Sequence, residues 1–312
     1  MSISFDNRVA VITGAGSGLG RSHAKFLAAR GVKVVVNDLG GNVAGQGGSS
    51  NAADEVVEAI TASGGVAVAN YDSVASVEGG QNIIQTAMDN FGRVDILINN
   101  AGNVRDKSFA KMDLENFTAL IDVHLMGAVY CTKAAWPIML DNQFGRVIMT
   151  SSSSGLFGGH GHTNYASAKL GLVGFMHALI QEGTSKNVLV NSIAPMALTR
   201  MTEQVASPKF AATMQPEFVS AMVAFLCADE CNLSGEIVEC GMGYYSKVQI
   251  LEGAGIFLGD GEVPSPADIQ DNWSAISDMS DAKPYRHAGQ ISRAVFRKMR
   301  DEGLLPDDND PA

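Results

Sequence analysis

Continuous β-branched and apolar runs recur along this chain, and each is followed by a segment with helical spacing. Residues 8–13, 32–37, 66–70, 94–99, 146–150, 188–193 and 236–240 read as strands. Residues 18–30, 52–63, 77–91, 114–139, 164–182 and 217–228 read as helices. Strands that are apolar throughout, rather than alternating, suit a sheet covered on both faces. Repeated βα units with right-handed crossovers then give an α/β fold: a doubly wound parallel sheet of about seven strands, of Rossmann type.

Two segments fall outside this alternation. Residues 40–50 form a Gly/Ser-rich stretch after the second strand, too long for a plain βα turn. Residues 246–312 follow the last strand and read as two or three short helices, sparse in large apolar residues. They divide the chain into a catalytic domain, 1–245, and a C-terminal helical extension packed on the core or on a partner subunit. Val248, Ile250, Leu251, Ile256, Phe257, Leu258, Ile269, Trp273 and Ile276 would together make a patch that monomers rarely expose. A covered extension with Trp273 as an anchor is therefore expected, and the acidic end beyond Gly303 is expected to be poorly ordered.

The first strand runs into Thr13-Gly14-Ala15-Gly16-Ser17-Gly18-Leu19-Gly20. Glycines let the backbone approach a pyrophosphate, and the helix that follows turns its N-terminal amides toward that charge. The second strand ends in Asn37-Asp38. A carboxylate there can accept from ribose hydroxyls and repels the extra phosphate of NADP, so NAD is the expected cofactor. The plain alternative is a turn aspartate that caps the loop.

Tyr165 and Lys169 are four residues apart in a helical segment, on one face and one turn apart. Serines 151–154 close the preceding strand, whose C-terminal end meets the ligand crevice of such a sheet. Alcohol oxidation needs a group to take the hydroxyl proton as hydride departs. A tyrosine with its pKa lowered by a nearby cation can do so, and a serine can hold the substrate oxygen.

This combination resembles the short-chain dehydrogenase/reductase family. The matching motifs are Thr13-Gly-x-x-x-Gly18-x-Gly20, Asn99-Asn100-Ala101-Gly102, Ser152 and Tyr165-x-x-x-Lys169, spanning residues 8–243. In that family the serine lies thirteen before the tyrosine, which selects Ser152, and the second asparagine, Asn100, lies against the cofactor ribose. Further stretches resemble the (3R)-hydroxyacyl-CoA dehydrogenase units of peroxisomal multifunctional enzymes of type 2: Val34-Val-Val-Asn-Asp-Leu-Gly-Gly41, Asn70-Tyr-Asp-Ser-Val74, Ile148-Met-Thr150, Tyr165-Ala-Ser-Ala-Lys-Leu-Gly171, Arg200-Met-Thr202 and Asp271-Asn-Trp273. The resemblance implies a homodimer, with Ser73 and Val74 flanking the adenine. It also implies that Ala197, Leu198, Thr199 and Arg200 lie over the nicotinamide end. Two positions depart from the wider family. His124 stands where an asparagine usually anchors a water of the proton relay, and Pro195-Met196 replaces the usual Pro-Gly. His124 is either a relay member or a core histidine bonded to backbone.

The net charge of −11, with no basic stripe, excludes nucleic acid as a partner. No apolar run is long enough to span a membrane, and no secretory leader is evident. The four cysteines, Cys131, Cys227, Cys231 and Cys240, include no Cys-x-x-Cys pair, which suits a reducing, cytoplasmic setting. His160 and His162 invite a metal, but no acidic or cysteine partner is near in sequence and hydride transfer needs none. No metal site is expected; these histidines read as part of a substrate-pocket loop. The leading expectation is NAD-dependent oxidation of a (3R)-3-hydroxyacyl-CoA, with the acyl group, a steroid side chain among the options, left open. The alternatives are a hydroxysteroid dehydrogenase of 17β type, a 3-oxoacyl reductase, or a cofactor-binding regulator without turnover. The intact Ser152, Tyr165 and Lys169 argue against the last.

Overall fold

The structure is a computed structural model that describes residues 3, 5, 7–42, 44–199, 212–259 and 262–304. The chain divides into two compact units, Met1–Val248 and Gln249–Ala312.

In the first unit, seven strands run parallel. They are β1 (Val9–Thr13), β2 (Lys33–Asn37), β3 (Ala67–Asn70), β4 (Ile96–Asn99), β5 (Gly145–Thr150), β6 (Val188–Pro195) and β7 (Ile237–Gly241). An eighth, β8 (Tyr244–Val248), pairs antiparallel with β7, and the order across the sheet is β3-β2-β1-β4-β5-β6-β7-β8. The helices are α1 (Gly18–Ala28), α2 (Asn51–Ala62), α3 (Val77–Phe91), α4 (Leu114–Ile121), α5 (Gly127–Asp141), α6 (Ser153–Phe157), α7 (Thr163–Gly183) and α8 (Pro216–Cys227).

Strand side chains alternate faces, so one sheet feeds two cores. Ala10, Ile12, Val34, Val36, Ile96 and Ile98 pack with Leu27, Val56 and Val223 on the α1–α2–α8 side. Val9, Val11, Val35, Leu97, Val147 and Val190 pack with Ile83, Met139, Leu172 and Met176 on the α3–α5–α7 side. Full burial on both faces is why these strands read as unbroken apolar runs.

The sequence reading differs from the structure at three places. The expected single helix over 114–139 is interrupted by a π-helical segment, Asp122–Met126, which carries His124. Such segments recur at functional sites. Helix α6 is a single turn that the serine run conceals. Residues 246–248, read as the start of the extension, are the end of β8. Their hairpin turns on Met242 (φ 55°) and Gly243 (φ 78°), two successive left-handed residues as a type I′ turn requires. Methionine at the first of these positions is an unusual substitute for asparagine, so the sequence does not advertise the turn.

The second unit holds a two-stranded antiparallel ribbon, β9 (Leu251–Glu252) with β10 (Lys283–Pro284), and helices α9 (Pro266–Asp271), α10 (Trp273–Ile276) and α11 (Ala288–Asp301). Ser265 and Asp268 form a reciprocal capping box at α9. None of its described residues is buried, and Trp273 is 61% exposed. Most of the acidic end, 305–312, lies outside the described residues.

Candidate active site

Strand order reverses between β1 and β4, and ligands of doubly wound sheets bind at the strand C-termini beside such a switch point. The glycine turn leaves β1 there. Gly14 and Gly18 have φ of +64° and +52°. A Cβ on Gly20 would come 2.2 Å from the Gly14 carbonyl, so that position must be bare for α1 to pack beneath the turn. Asn100, at the end of β4, stitches the turn in place: its Nδ2 donates to the carbonyls of Thr13 (2.9 Å) and Gly14 (3.1 Å). The backbone amides of Asn100 and Ala101 both donate to Thr13 Oγ1 at 3.0 Å. Asp38 accepts from the Gly16 amide (2.8 Å) on one carboxylate oxygen and from Gly40 (2.7 Å) on the other. The turn-capping role is thus present, and the lone pairs left over on a carboxylate remain for a ribose.

One cavity of about 670 Å³ runs along the switch point. Gly14, Ser17, Gly18, Leu19, Asp38, Ser73, Val74, Asn100, Ala197 and Thr199 line it, together with His124, Ser152, Tyr165 and Lys169. Gly16 and Gly20, expected to bind the cofactor, are not among the residues that line it. The Leu198 amide donates to the Met214 carbonyl at 2.7 Å, and Arg200 lies outside the described residues. Thr150 Oγ1, Asn103 Oδ1 and His124 Nδ1 are buried around this cavity without a hydrogen-bond partner among the described residues. Bare glycine walls and unpaired polar atoms fit a nicotinamide dinucleotide.

The four serines separate by what they touch. Ser151 Oγ donates to the Lys169 carbonyl (2.8 Å), and Ser153 Oγ donates to Glu239 Oε1 (2.7 Å). The Ser154 amide donates to Ser152 Oγ, the N-cap of α6, at 3.2 Å. Of the four, Ser152 is the one whose side chain acts on the Tyr165 phenol, opposing the rise of its pKa. Tyr165 and Lys169 project from the first turns of α7, and the Lys169 ammonium lies 5.5 Å from the Tyr165 ring centre.

Their charges differ from the sequence expectation. Burial pushes Tyr165 above its ordinary 10.0, with Asp106 adding to the rise and Ser152 opposing it. Burial pulls Lys169 down to about 7, and its Nζ donates to the Thr150 carbonyl at 2.6 Å. Desolvation therefore outweighs the field that Lys169 was expected to exert on the phenol.

His124 is buried, and its ring meets Tyr165 edge-on at 5.4 Å between centroids. Burial, aided by Lys169, holds its pKa well below 6.5, so the ring is neutral. Its Nε2 lies 2.8 Å from the Asn103 carbonyl. A Cβ on Gly102 would sit 2.4 Å from its Cε1, which explains the glycine. His124 is thus bonded to backbone, as one of the two sequence readings has it, and it also lines the cavity.

Sequence reasoning passed over the segment after β4. Asn103, Arg105 and Asp106 all line the cavity. Arg105 donates to the Ala44 carbonyl (3.1 Å) and to Asn116 Oδ1 (3.1 Å), spanning from the glycine-rich loop to α4. The buried Asn164 donates to the Arg105 carbonyl (3.2 Å) and accepts from the Tyr165 amide (2.8 Å). A polar run leaving the C-terminal end of a central strand was the available signal.

Residues 8–209 match the short chain dehydrogenase family. The chain belongs to that family. It is 49% identical over 276 residues to peroxisomal multifunctional enzyme A of Dictyostelium discoideum, covering 88% of this chain and 61% of that relative. The solved full-length peroxisomal multifunctional enzyme type 2 of Drosophila melanogaster superposes with a TM-score of 0.82 at 36% identity, over 96% of this chain and 50% of that one. A 7α-hydroxysteroid dehydrogenase solved with NADH and 7-oxo glycochenodeoxycholic acid gives 0.69 at 28% identity, over 77% of this chain and 95% of that one. The dehydrogenase spans between 32% and 61% of the length of the first multifunctional relatives it matches. Like other members, it is an enzyme acting on a CH–OH group. Among the described residues no helix is long and apolar enough to cross a membrane.

Proposed function

We propose that this dehydrogenase oxidises (3R)-3-hydroxyacyl-CoA thioesters to 3-ketoacyl-CoA with NAD as acceptor. The observation that carries the reading is that Ser152, Tyr165 and Lys169 share one cavity with Asp38 and the glycine turn. A nicotinamide dinucleotide held by Asp38, Gly14 and Gly18 would supply the hydride acceptor. Ser152 holds the substrate oxygen, and Tyr165 takes the hydroxyl proton at its phenolic oxygen. Lys169 and the neutral His124 lie next to Tyr165 and pass its proton onward. The Asp38 carboxylate at the adenosine end favours NAD over NADP by charge repulsion.

The NADH-bound hydroxysteroid dehydrogenase supports both the cofactor and a second reading, a free hydroxysteroid substrate. NAD reduction measured with a panel of 3-hydroxyacyl-CoAs of increasing length, a steroid side-chain acyl-CoA, a 3-hydroxyacyl carrier substrate and free hydroxysteroids separates the readings. Turnover with the CoA series is expected; turnover confined to free steroids overturns the assignment.

Residues 246–312 are proposed to mediate a homodimer, with Trp273 in the contact, because the exposed apolar groups Ile250, Leu251, Ile269 and Trp273 call for a cover. Truncation after Val248, which spares β8, should change the size measured by light scattering; an unchanged dimer refutes the role. Four buried free thiols suit the cytoplasm, whereas the multifunctional relatives are named as peroxisomal. Cell fractionation decides between the two compartments.

A further inference from the structure

The pair formed by Asp106 and His162 has no part in the chemistry above, yet it stands at the catalytic tyrosine. His162 precedes α7, and Asp106 lies in the segment after β4. Backbone contacts lock the two stretches together: the Lys107 amide donates to the Gly161 carbonyl at 3.0 Å, and Asn164 Nδ2 to the Arg105 carbonyl at 3.2 Å. Within that clamp His162 Nε2 lies 3.1 Å from Asp106 Oδ2. A carboxylate only accepts, so Nε2 carries the proton. The imidazole is packed against a bare glycine, since a Cβ on Gly159 would fall 2.7 Å from its Nδ1. Its other side is tilted against the Tyr165 ring, 5.9 Å between centroids. Asp106, His162 and Tyr165 line the same cavity.

We propose that Asp106, aimed by His162, is a positioning residue that sets the protonation of Tyr165 and so the pH at which this enzyme oxidises alcohols. The inference rests on the reading of Tyr165 as the proton-transferring group. The other groups around the phenol do not supply this charge. His124 faces it as a neutral ring, and Lys169 is held by Thr150 with its ammonium weakened by burial. Arg105 and Asp122 also line the cavity; Arg105 is committed to Ala44 and Asn116. Lys107 pairs with Asp113 rather than Asp106. The negative charge of Asp106 opposes formation of the phenolate and adds to the effect of burial.

The pair is partly exposed, 31% for His162 and 42% for Asp106, so water screens it and the effect is moderate. Asp106→Asn should lower the Tyr165 titration by about 0.3–1 pH unit. Two measurements read it. One is tyrosinate absorbance in the cofactor-free protein, taken as the difference from Tyr165→Phe in the same background. The other is the pH profile of kcat/KM for oxidation, which should move to lower pH. Asp106→Ser serves if the asparagine variant folds poorly, and Asp106→Glu should restore the wild-type profile. A tyrosinate titration that stays in place, or moves to higher pH, in Asp106→Asn and Asp106→Ser overturns the inference. The absorbance measurement needs no substrate. A shift there with no turnover of any hydroxyacyl-CoA therefore leaves this inference standing and refutes the proposed substrate instead.

Discussion

Lys169 works against the fold that holds it, and the extent can be worked from its surroundings. Its side chain is buried, and burial takes its pKa from an ordinary 10.5 to about 7. That gap corresponds to about 5 kcal/mol of preference for the uncharged form in the folded state. Because the folded value lies below the unfolded one, the unfolded chain holds the proton more tightly throughout the window between them. Stability therefore rises with pH from about 7 to about 10.5, and the whole penalty applies below about pH 7. Lys169→Met removes the penalty and with it the bond to the Thr150 carbonyl, whose loss costs about 1–3 kcal/mol. At pH 7 the balance is a gain of about 2–4 kcal/mol, or roughly 4–8 °C in Tm for a chain of this size. The same variant should lose its dehydrogenase activity, as expected where a functional group is held at the expense of stability. Scanning calorimetry of both proteins at pH 7 and pH 10 tests this. A methionine variant that melts lower at pH 7, or that keeps the same advantage at pH 10, refutes the reasoning.

Tyr165→Phe keeps the ring and its contact with His124 while removing the proton carrier, so kcat should fall on the order of 10²–10⁴-fold with NADH binding by fluorescence unchanged. Since burial raises the Tyr165 pKa, its phenolate becomes commoner as pH rises, and oxidation should accelerate toward alkaline pH while ketone reduction does not; steady-state profiles in both directions check this. Asp38→Ala should relax discrimination against NADP and also lower Tm, because the carboxylate holds the Gly16 and Gly40 amides; a wild type that prefers NADPH contradicts the charge argument. Gly20→Ala drives a methyl into the Gly14 carbonyl and Asn100, so NADH affinity should fall by at least about tenfold, measured by fluorescence titration, with a stability loss of about 1–3 kcal/mol.

What the sequence disclosed and what it withheld follow one physical division. Residues whose identity is dictated by local backbone could be read directly. Gly14, Gly18 and Gly20 announce a turn no other residue tolerates, and Val34, Val35 and Val36 announce a strand covered twice. The Tyr165–Lys169 spacing announces a shared helix face because it is local to one turn. Hidden were features created by residues far apart in the chain. His162 looked solitary because its acidic partner, Asp106, is 56 residues away. The raised Tyr165 and lowered Lys169 are consequences of burial, and burial is a property of the assembled walls rather than of the motif. β8 was missed because its turn uses Met242 where composition leads one to look for asparagine.

The same division explains why the site tolerates a histidine at position 124. The π-helical segment Asp122–Met126 shifts the helical register locally, so His124 is presented beside Tyr165 and toward Asn103. The bare backbone of Gly102 then makes room for an imidazole. Its Nε2 engages the Asn103 backbone, and Nδ1 is left as a buried unpaired atom beside the cavity. A buried polar atom without a partner is expensive to keep unless a ligand, a water or a proton satisfies it during function. The geometry at Gly102, the π segment and the unpaired Nδ1 thus support the same reading: position 124 belongs to the proton path, with the imidazole standing where the wider family uses an amide. His124→Asn tests that equivalence. It should retain activity and shift the pH profile, whereas His124→Leu should lose turnover while keeping NADH binding; equal, unaltered turnover in both would return His124 to the core.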